Sequence, residues 1–350
     1  MATAPVRVAL VGYGLAGREF HAPLIGATQG LALTAVVSSQ ADRIAAELPG
    51  VAILADLAVA LADPSIDLVV IASPDQFHAP QALAALAAGK HVVIDKPFAP
   101  TLGEAQAVTA QAERSGKVLT IFHNRRWDAD FLTLKRLIEA RELGEIRQFE
   151  SHFDRYRPEV GERWKDRRAG GVWQDLGPHL IDQAIRLFGL PDAVFADLAI
   201  QKPGGASSDY AHVVLRHGTM RTILHITQSA HAHDLRFVVH GTAGSYLKHG
   251  IDPQEDQSKA GMLPGDPGWA IDLRDGILTR YGADGDVHSA PVPNLPGDYL
   301  AFYRELHAAI GGCRPNPVPP GQALEVMAVL AAGSESARTG SWVVPATDTN

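Results

Sequence analysis

The first 120 residues alternate between short apolar runs and helix-like segments, and this alternation limits the possible folds more than any other feature. The runs are rich in β-branched residues, which is typical of strands buried on both faces of a sheet. They span residues 6–11, 33–37, 68–72, 91–94 and 118–122. The helix-like segments span 15–26, 41–48, 76–88 and 101–115. Strands that alternate with helices predict right-handed crossovers and a doubly wound parallel sheet.

A glycine motif follows the first of these runs and opens the first helix-like segment. It reads Gly12-Tyr13-Gly14-Leu15-Ala16-Gly17, a G-x-G-x-x-G pattern. In this context the glycines permit a tight turn and let a pyrophosphate approach backbone N–H groups at a helix N-terminus. The alternative, an ordinary glycine-rich turn, does not explain why the motif stands at the first strand-to-helix junction. The motif therefore predicts a Rossmann domain that binds a dinucleotide.

After residue 122 the pattern changes to closely spaced strand-like segments. Helix-like patterns at 129–142 and 172–188 enclose an alternating stretch at 145–156. Strand-like segments follow at 193–201, 210–217, 221–228, 235–240 and 245–249. The glycine-containing turns between them are typical of antiparallel hairpins. Residues 250–297 are predicted to be loop with at most one short strand, and helices are predicted at 299–311 and 321–336.

These patterns predict an α/β protein of two domains. Residues 1–122 form the predicted Rossmann domain, and residues 123–350 an α+β domain with an open, mainly antiparallel sheet for substrate binding and oligomerisation. An open sheet leaves a broad face that must be covered, so we expect a homodimer or homotetramer that pairs through this sheet.

The charge balance and the apolar content exclude some partners. Thirty-one Lys and Arg residues stand against 39 Asp and Glu residues, a net charge of −8. Nucleic-acid binding requires basic surface that displaces counterions, so no nucleic-acid partner is expected. No apolar run reaches the roughly 18–20 residues of a membrane span, so no membrane partner is expected. The single cysteine, Cys313, allows no disulfide within the chain, and we expect a cytoplasmic protein.

The residues after the second strand indicate which dinucleotide is used. NAD sites usually place an acidic residue there for the ribose 2′-hydroxyl, whereas NADP sites omit it and add a cation. This chain has Ser38-Ser39-Gln40, followed by Asp42 and Arg43. Two hydroxyls and a guanidinium suit a 2′-phosphate, although Arg43 is also compatible with a solvated helix face. The pattern favours NADP and does not exclude NAD.

Two groups of residues are candidates for acid–base chemistry. Asp95-Lys96-Pro97 follows the run at 91–94, at the sheet edge where doubly wound folds bind ligands. Lys96 is therefore placed to approach a substrate hydroxyl. Asp175 and His179 are four residues apart on one helix face and form a plausible acid–base pair, or a structural one. Because Pro178 is tolerated only in a first helical turn, we expect this pair near the start of its helix.

Further polar and aromatic residues are candidates for binding a polyol, with surface ion pairs as an equal alternative. Asn124, Arg125, Arg126 and Trp127 follow the last Rossmann strand, and Arg155, Tyr156, Arg157 and Trp164 flank the end of the stretch at 145–156 and the loop after it. His231 and His233 are interpreted as structural residues on one strand face. The chain has no H-E-x-x-H motif and no cysteine cluster, so no metal site is predicted.

Taken in order, these motifs resemble the Gfo/Idh/MocA oxidoreductases over nearly the whole chain. The resemblance includes the glycine motif, Ser73-Pro74 with His78, the Asp-Lys-Pro segment, and Asp175-Leu-Gly-Pro-His179. GYGLAGREFHAPLI, FHNRRWDADFLTLK, SHFDRYRPEV and VHGTAGSYLKHGIDPQED resemble the bacterial scyllo-inositol dehydrogenase subgroup. Where the family usually has glutamate before the lysine, this chain has Asp95.

The resemblance implies a catalytic role for three residues, because Lys96, Asp175 and His179 correspond to the family's catalytic set. We expect these three to contact substrate as well, together with the candidates Arg126, Trp127, Tyr156 and Trp164. Cofactor contacts are expected from the glycine motif and from Ser38, Ser39, Arg43, Ser73, Pro74, His78, Asp95, Lys96 and Asn124.

The function predicted from these features is reversible hydride transfer between a nicotinamide cofactor, NADP or NAD, and a cyclitol hydroxyl or ketone. The nearest alternative keeps the reaction and changes the substrate to an aldose or keto-sugar. An alternative of another class is a non-catalytic dinucleotide-sensing regulator. A sensor would not need Lys96, Asp175 and His179, and the fold alone does not decide between them.

Overall fold

A computed structural model of the chain describes residues 4–160, 170–283 and 285–346. The described chain forms two compact units, each discontinuous in sequence. The first unit comprises the chain through Trp127 together with Pro253–Ala270 and Asp298–Leu324. The second comprises Asp128–Asp252, Ile271–Gly297 and the chain from Glu325 onward. The predicted division had one boundary, after residue 122, whereas the chain returns twice to the first unit after residue 252.

The first unit contains a six-stranded parallel sheet. Its strands are β1 (Val6–Val11), β2 (Leu31–Val37), β3 (Ala52–Leu54), β4 (Leu68–Ile71), β5 (His91–Ile94) and β6 (Leu119–Ile121). Their spatial order is β3-β2-β1-β4-β5-β6, with β1 pairing in parallel with both β2 and β4. All four residues of β4 are fully buried, as expected for a strand covered on both faces. The Rossmann prediction is confirmed.

Helices follow most of these strands. They are a π-helical turn (Gly17–His21) that runs into α1 (Ala22–Ala27), α2 (Ala41–Glu47), α3 (Leu57–Ala62), α4 (His78–Ala87) and α5 (Leu102–Ser115). Helix α5 begins with a capping box, because the Thr101 hydroxyl accepts from the backbone N–H of Glu104 and the Glu104 carboxylate accepts from the N–H of Thr101. Strand β3 and helix α3 were absent from the sequence prediction.

The second unit contains an eight-stranded, mainly antiparallel sheet, as predicted. Its strands are β7 (Ile146–His152), β8 (Ala193–Ala199), β9 (Tyr210–His217), β10 (Met220–Thr227), β11 (Leu235–Gly241), β12 (Ser245–His249), β13 (Gly276–Tyr281) and β14 (Val287–Val292). The order is β14-β13-β12-β11-β7-β10-β9-β8, and β7 and β10 pair in parallel. Helices α6 (Ala129–Glu139) and α7 (Gly171–Phe188) belong to this unit, whereas α8 (Gln254–Lys259) and α9 (Leu300–Ile310) belong to the first. Helix α10 (Pro320–Thr339) begins in the first unit and ends in the second.

The prediction for residues 250–297 was wrong. This segment contains α8 and the hairpin of β13 and β14 rather than loop with at most one strand. Five of the six residues of β14 are exposed, so its sequence has no apolar alternation by which a strand could be recognised. Residues 231 and 233 also lie outside any strand, because β11 begins at Leu235.

Helix α7 packs against one face of the second sheet through β9 and β10. The side chains beneath it, which include Phe149, Val213 and Leu224, are fully buried. Trp173 of α7 is also fully buried, and its indole N–H donates to the carbonyl oxygen of Leu330 at 3.0 Å. A Cβ on Gly333 would lie 2.7 Å from the Trp173 ring, so α10 approaches this ring at a glycine.

The expectation that Pro178 lies in a first helical turn was wrong. Helix α7 begins at Gly171, so Asp175 lies in the second turn and His179 in the third. A proline inside a helix removes a hydrogen bond, and its ring crowds the Cβ of the preceding residue. Residue 177 is a glycine and has no Cβ, which removes this second conflict. The helix therefore continues through Pro178.

Two buried charged groups stabilise the second unit through several hydrogen bonds each. The guanidinium of Arg236 donates to Asp130 at 3.0 Å, to the Gln183 side chain at 2.7 Å and to the Ser151 hydroxyl at 3.2 Å. The Lys248 ammonium, also buried, donates to Asp272 at 2.8 Å and to three backbone carbonyl oxygens. Buried charges are tolerated where a counterion and further hydrogen bonds surround them.

None of the helices in the described ranges is both long and apolar enough to cross a membrane.

Candidate active site

The glycine motif after β1 runs from the loop into the π-helical turn, and two of its three glycines lie where a side chain would collide with backbone. Gly12 has a φ of +95°, and a Cβ there would lie 2.7 Å from the Ala72 carbonyl oxygen. A Cβ on Gly17 would lie 2.2 Å from the carbonyl oxygen of Gly12. Around Gly14, by contrast, no described atom lies within 4 Å of such a Cβ. The loop is therefore tightly packed on one side and open at Gly14.

The helix after this loop differs from the uniform α-helix predicted for residues 15–26. Leu15 is 58% exposed and Ala16 is partly buried, and both precede the π-helical turn. The backbone N–H of Arg18 donates to the carbonyl oxygen of Gly14 at 2.9 Å, which closes the first turn. A helix N-terminus with accessible N–H groups favours an anion such as a phosphate.

Ser38, Ser39 and Arg43 lie at the carboxyl end of β2, where the sequence predicts the ribose contacts. The Ser38 hydroxyl accepts from the N–H of Gln40 at 3.2 Å, and the Gln40 amide donates to the carbonyl oxygen of Tyr13 at 2.9 Å. Arg43 is exposed and donates to the Gln40 side-chain oxygen at 2.9 Å. Gln40 thus joins the glycine loop to Arg43.

The Glu47 carboxylate, at the end of α2, lies near this loop. It accepts from the Tyr13 hydroxyl at 3.0 Å and lies 3.4 Å from the Arg18 guanidinium. Burial, together with the hydrogen bond to Glu47 and its charge, raises the pKa of the Tyr13 hydroxyl to about 12. Tyr13 therefore remains a neutral hydrogen-bond donor at any physiological pH.

His78 joins the segments that follow β4 and β5. Its Nδ1 lies 2.8 Å from the Pro97 carbonyl oxygen and its Nε2 lies 2.9 Å from the Ser73 carbonyl oxygen. The Ser73 hydroxyl donates to Gln81 at 2.7 Å, and Pro74 directly precedes a short 3₁₀ turn. His78 is fully buried, so it positions both segments rather than contacting solvent.

Asp95 belongs to a buried polar chain that the sequence analysis did not find. One Asp95 oxygen accepts from the backbone N–H of Lys96 at 2.9 Å and lies 3.9 Å from Nε2 of His21. The Nδ1 of His21 lies 2.6 Å from the Tyr303 hydroxyl. Tyr303 belongs to α9, more than 200 residues away in sequence, so no local pattern indicates the contact.

Residues 124–127 form a 3₁₀ turn after β6, and the turn is fastened to segments of the first unit that come later in the chain. Asn124 and Arg125 are buried, and Arg125 forms an ion pair with Glu255. Arg126 donates to the Gln322 side chain at 2.7 Å. These contacts give Arg125 and Arg126 structural partners in addition to any ligand.

Trp127, the last residue of this turn, also contacts segments that come later in the chain. Its carbonyl oxygen accepts from the Gln254 amide at 3.2 Å and from the N–H of Asp298 at 2.9 Å. Its indole ring meets the Phe302 ring edge-on at a centroid distance of 5.9 Å.

Asp175 and His179 project from α7 in the second unit. They are separated by four residues, which places them on one helix face one turn apart. Asp175 is partly buried and His179 is buried. The His179 ring stacks on Phe153 at a centroid distance of 6.3 Å and an interplanar angle of 23°, which limits its rotation.

Of the aromatic candidates near residue 160, the structure describes Tyr156. Its side chain is 45% exposed, and its ring lies 3.8 Å from the ring of His231. Trp164 lies outside the described residues.

Two models of one protein family match the chain. Residues 6–123 match the oxidoreductase family's NAD-binding Rossmann fold, and residues 135–344 match its C-terminal α/β domain. The chain belongs to the Gfo/Idh/MocA oxidoreductase family.

Relatives within the Gfo/Idh/MocA family extend over nearly the whole chain. The uncharacterized oxidoreductase YdgJ of Escherichia coli is 47% identical over 95% of this chain and 96% of its own. The scyllo-inositol 2-dehydrogenase (NADP(+)) IolW of Bacillus subtilis is 34% identical over 95% of this chain and 94% of its own. A solved Yersinia pestis structure described as an oxidoreductase is 47% identical and covers 99% of both chains with a TM-score of 0.95.

The residues of the first unit fit the nicotinamide dinucleotide that the Gfo/Idh/MocA fold implies. The open side of the loop at Gly14 leaves room for a pyrophosphate beside the helix N-terminus, whereas Gly12 and Gly17 hold the turn closed. The chain is an NAD(P)-binding oxidoreductase of this family.

Proposed function

We propose that this protein is an NADP-preferring dehydrogenase that interconverts a ring hydroxyl and a ring ketone of a cyclitol such as scyllo-inositol. The observation that carries the proposal is similarity to a scyllo-inositol 2-dehydrogenase over 95% of the chain, combined with the presence of Lys96, Asp175 and His179. A protein that only sensed the dinucleotide would not need this acid–base set.

His179 is the proposed general base. In the oxidation direction its imidazole accepts the proton of the substrate hydroxyl, and Asp175, one helical turn before it, orients the ring and stabilises the imidazolium that forms. The stack on Phe153 holds the imidazole plane. In the reduction direction the same imidazole returns the proton to the oxygen.

Lys96 is proposed to donate a hydrogen bond to the same substrate oxygen and to stabilise negative charge that develops on it. The backbone N–H of Lys96 is held by Asp95, and the Pro97 carbonyl oxygen is held by His78, so the residue is fixed on both sides. When bound, the cofactor supplies the hydride acceptor at nicotinamide C4.

The proposed cofactor contacts come from the first unit. Gly12, Tyr13, Gly14, Leu15, Ala16 and Gly17 surround the pyrophosphate, Ser38, Ser39 and Arg43 the ribose phosphate, and Ser73, Pro74, His78, Asp95, Lys96 and Asn124 the nicotinamide half. Tyr156, Arg126, Trp127 and Trp164 are proposed to contact the substrate ring.

A substrate panel tests the proposal. Initial rates are measured for several inositols and several aldoses, each with NADP and with NAD. We expect the highest kcat/KM for an inositol with NADP. A higher kcat/KM for an aldose would establish the sugar-dehydrogenase alternative, and no turnover with any member despite tight NADP binding would favour the non-catalytic alternative.

Substitution of the acid–base residues tests their roles. Positioned acid–base groups contribute about 10²- to 10⁴-fold to rate, so we expect Lys96→Ala and His179→Ala each to lower kcat by that factor with NADP affinity nearly unchanged. The double variant should be only slightly slower than the slower single variant, because the two groups act as a unit. His233→Ala, an exposed histidine in the second unit, is the matched control. The rates are compared under conditions in which deuterated substrate shows that hydride transfer limits turnover. A near-normal kcat in His179→Ala under these conditions would refute the assignment of His179 as the general base.

A further inference from the structure

Three histidines form a row across adjacent strands of the second sheet. His152 is the last residue of β7, His225 pairs with it in β10, and His212 pairs with His225 in β9. Side chains alternate between sheet faces, and the neighbours Ser151 and Leu224 are buried on the α7 side. The histidine row therefore lies on the opposite face from α7, where its members are only partly buried.

Asp154 completes a cluster with two of these histidines. Its Oδ2 lies 3.2 Å from Nδ1 of His152, and its Oδ1 lies 3.8 Å from Nε2 of His225. The backbone N–H of Thr227 donates to Oδ1 at 3.1 Å, which fixes the carboxylate against β10. One potential ligand atom from each of the three residues lies within 4.8 Å of the others.

We propose that His152, Asp154 and His225 bind a divalent transition-metal ion, with Zn²⁺ as the best match. Zn²⁺ binds imidazole nitrogen and carboxylate oxygen at about 2.0–2.2 Å, which in a tetrahedron separates the ligand atoms by roughly 3.4 Å. Asp154 presents one carboxylate oxygen to each imidazole, Oδ2 at 3.2 Å from Nδ1 of His152 and Oδ1 at 3.8 Å from Nε2 of His225, and both distances are close to this value. Two imidazoles disfavour Mg²⁺ and Ca²⁺, which prefer oxygen ligands.

The remote nitrogen of each ligand histidine also has a partner. Nε2 of His152 lies 3.4 Å from the Glu150 carboxylate, which itself accepts a hydrogen bond from Gln148. Nδ1 of His225 lies 3.2 Å from Nδ1 of His212. Metal-binding histidines almost always donate their second N–H to such a group, which directs the lone pair of the first nitrogen at the ion. The proposed site thus has both ligands and orienting groups.

Three protein ligands leave one position of a tetrahedron open to water or another small ligand. The ion joins β7 to β10, two strands that pair in parallel. Because it binds the folded chain and bridges two strands, it should raise thermal stability.

Zinc titration of the full chain, produced without a polyhistidine tag and stripped of metal, tests the proposal. We expect one Zn²⁺ per chain by calorimetry and by competition with a chromogenic chelator, and a rise in melting temperature on zinc addition. Asp154→Asn and His225→Gln should each lower the affinity by more than 100-fold. Glu150→Gln should lower it by about 10- to 100-fold, as for other groups that orient a metal ligand.

His240→Gln is the matched control, because His240 lies on the same face of the same sheet but hydrogen-bonds to Ser245 instead. It should bind zinc as the unaltered chain does. Unchanged affinity in His225→Gln, or a stoichiometry of zero in the unaltered chain, overturns the proposal. If circular dichroism shows that a variant does not fold, Co²⁺ is added to the unaltered chain instead. The visible absorption of tetrahedral Co²⁺ would then support the proposed site, and its absence would overturn the proposal.

Discussion

Asp95 accepts a hydrogen bond from the N–H of Lys96 and lies beside His21, whose second ring nitrogen contacts Tyr303. Burial raises the pKa of the Asp95 carboxyl, but the neighbouring His21, whose Nε2 lies 3.9 Å from it, and the charges of Lys96 and His78 outweigh burial and hold this pKa below its ordinary value. The shorter side chain of aspartate thus keeps a negative charge next to Lys96. The same negative charge, together with burial, raises the pKa of Tyr303 well above its ordinary value.

The lowered pKa of Asp95 has a consequence for stability in acid. A carboxyl whose pKa is lower in the folded chain stabilises the fold fully above its unfolded pKa, about 3.9, and this contribution is lost as the pH falls further. As the pH falls from about 5 to 3, we therefore expect the free energy of unfolding to fall less in Asp95→Asn than in the unaltered chain. Urea unfolding at each pH measures this free energy. Above about pH 5 the free energies of unfolding of the variant and of the unaltered chain should change in parallel with pH. If both lose the same free energy of unfolding between about pH 5 and pH 3, the prediction is contradicted.

Arg43 is the residue on which cofactor preference is expected to depend. Its guanidinium is exposed and hydrogen-bonds to Gln40, which in turn contacts the glycine loop. If it contacts the 2′-phosphate, Arg43→Ala should raise the KM for NADP at least tenfold and the KM for NAD by less than twofold, since a charge-assisted hydrogen bond contributes about 1.5–3 kcal/mol.

Arg114→Ala provides the control for this measurement. Arg114 is likewise exposed and hydrogen-bonds to a glutamine three residues earlier, Gln111, but it lies on α5. The Arg114→Ala substitution should leave the KM for NADP and the KM for NAD unchanged. If Arg43→Ala raises the KM for NADP and the KM for NAD equally, this arginine does not contact the 2′-phosphate.

At the scale of elements, the strands predicted correctly are those whose burial requires a run of apolar residues in the sequence. The apolar runs of β1, β4 and β5 were recognised to within one residue because these strands are buried on both faces. Strand β3 was missed because it has three residues at the sheet edge, and none of them is buried. Strand β14 was missed because its exposed residues carry no apolar alternation.

The same reasoning explains what was found and missed at the candidate site. The glycine motif and the Asp-Lys-Pro segment were found because each is contiguous in sequence and follows a recognisable strand. His21 was missed because its partners are Asp95 and Tyr303, which come from separate elements. The histidine row was missed because strand pairing, which no single sequence segment specifies, brings its members together.

Contact between α10 and Trp173 offers a test of packing between elements. A Cβ on Gly333 would lie 2.7 Å from the buried indole ring, which is itself enclosed and hydrogen-bonded to Leu330. We expect Gly333→Ala to lower the free energy of unfolding by about 1–3 kcal/mol, the usual cost of overpacking. Gly321→Ala, in the same helix, meets no described atom within 4 Å and should leave stability unchanged or raise it by up to about 1 kcal/mol. Urea unfolding measures both, and equal stability of the two variants would contradict the packing argument.

At the scale of the whole molecule, the face of the second sheet opposite α7 carries an apolar row. Paired residues cross seven strands on this face, and all but one are apolar. The row comprises Ile277, Leu247, Val238, Glu150, Ile223, Val214 and Phe195. Leu247 and Ile277 are 39% and 40% exposed. An exposed apolar row that crosses several strands is typical of an interface between subunits.

We propose that two copies of the chain pair through this face. In a two-fold interface each substitution occurs twice, so one introduced charge removes apolar contact and buries an unpaired charge at two places. Leu247→Arg should therefore convert the oligomer to a particle of the single-chain mass, 37.3 kDa, in size-exclusion chromatography with light scattering. Leu273→Arg changes a side chain that is 87% exposed in the loop before β13, and it should leave the oligomer intact. A single-chain mass for the unaltered protein at micromolar concentration, or an oligomer that survives Leu247→Arg, would show that this face does not join the subunits.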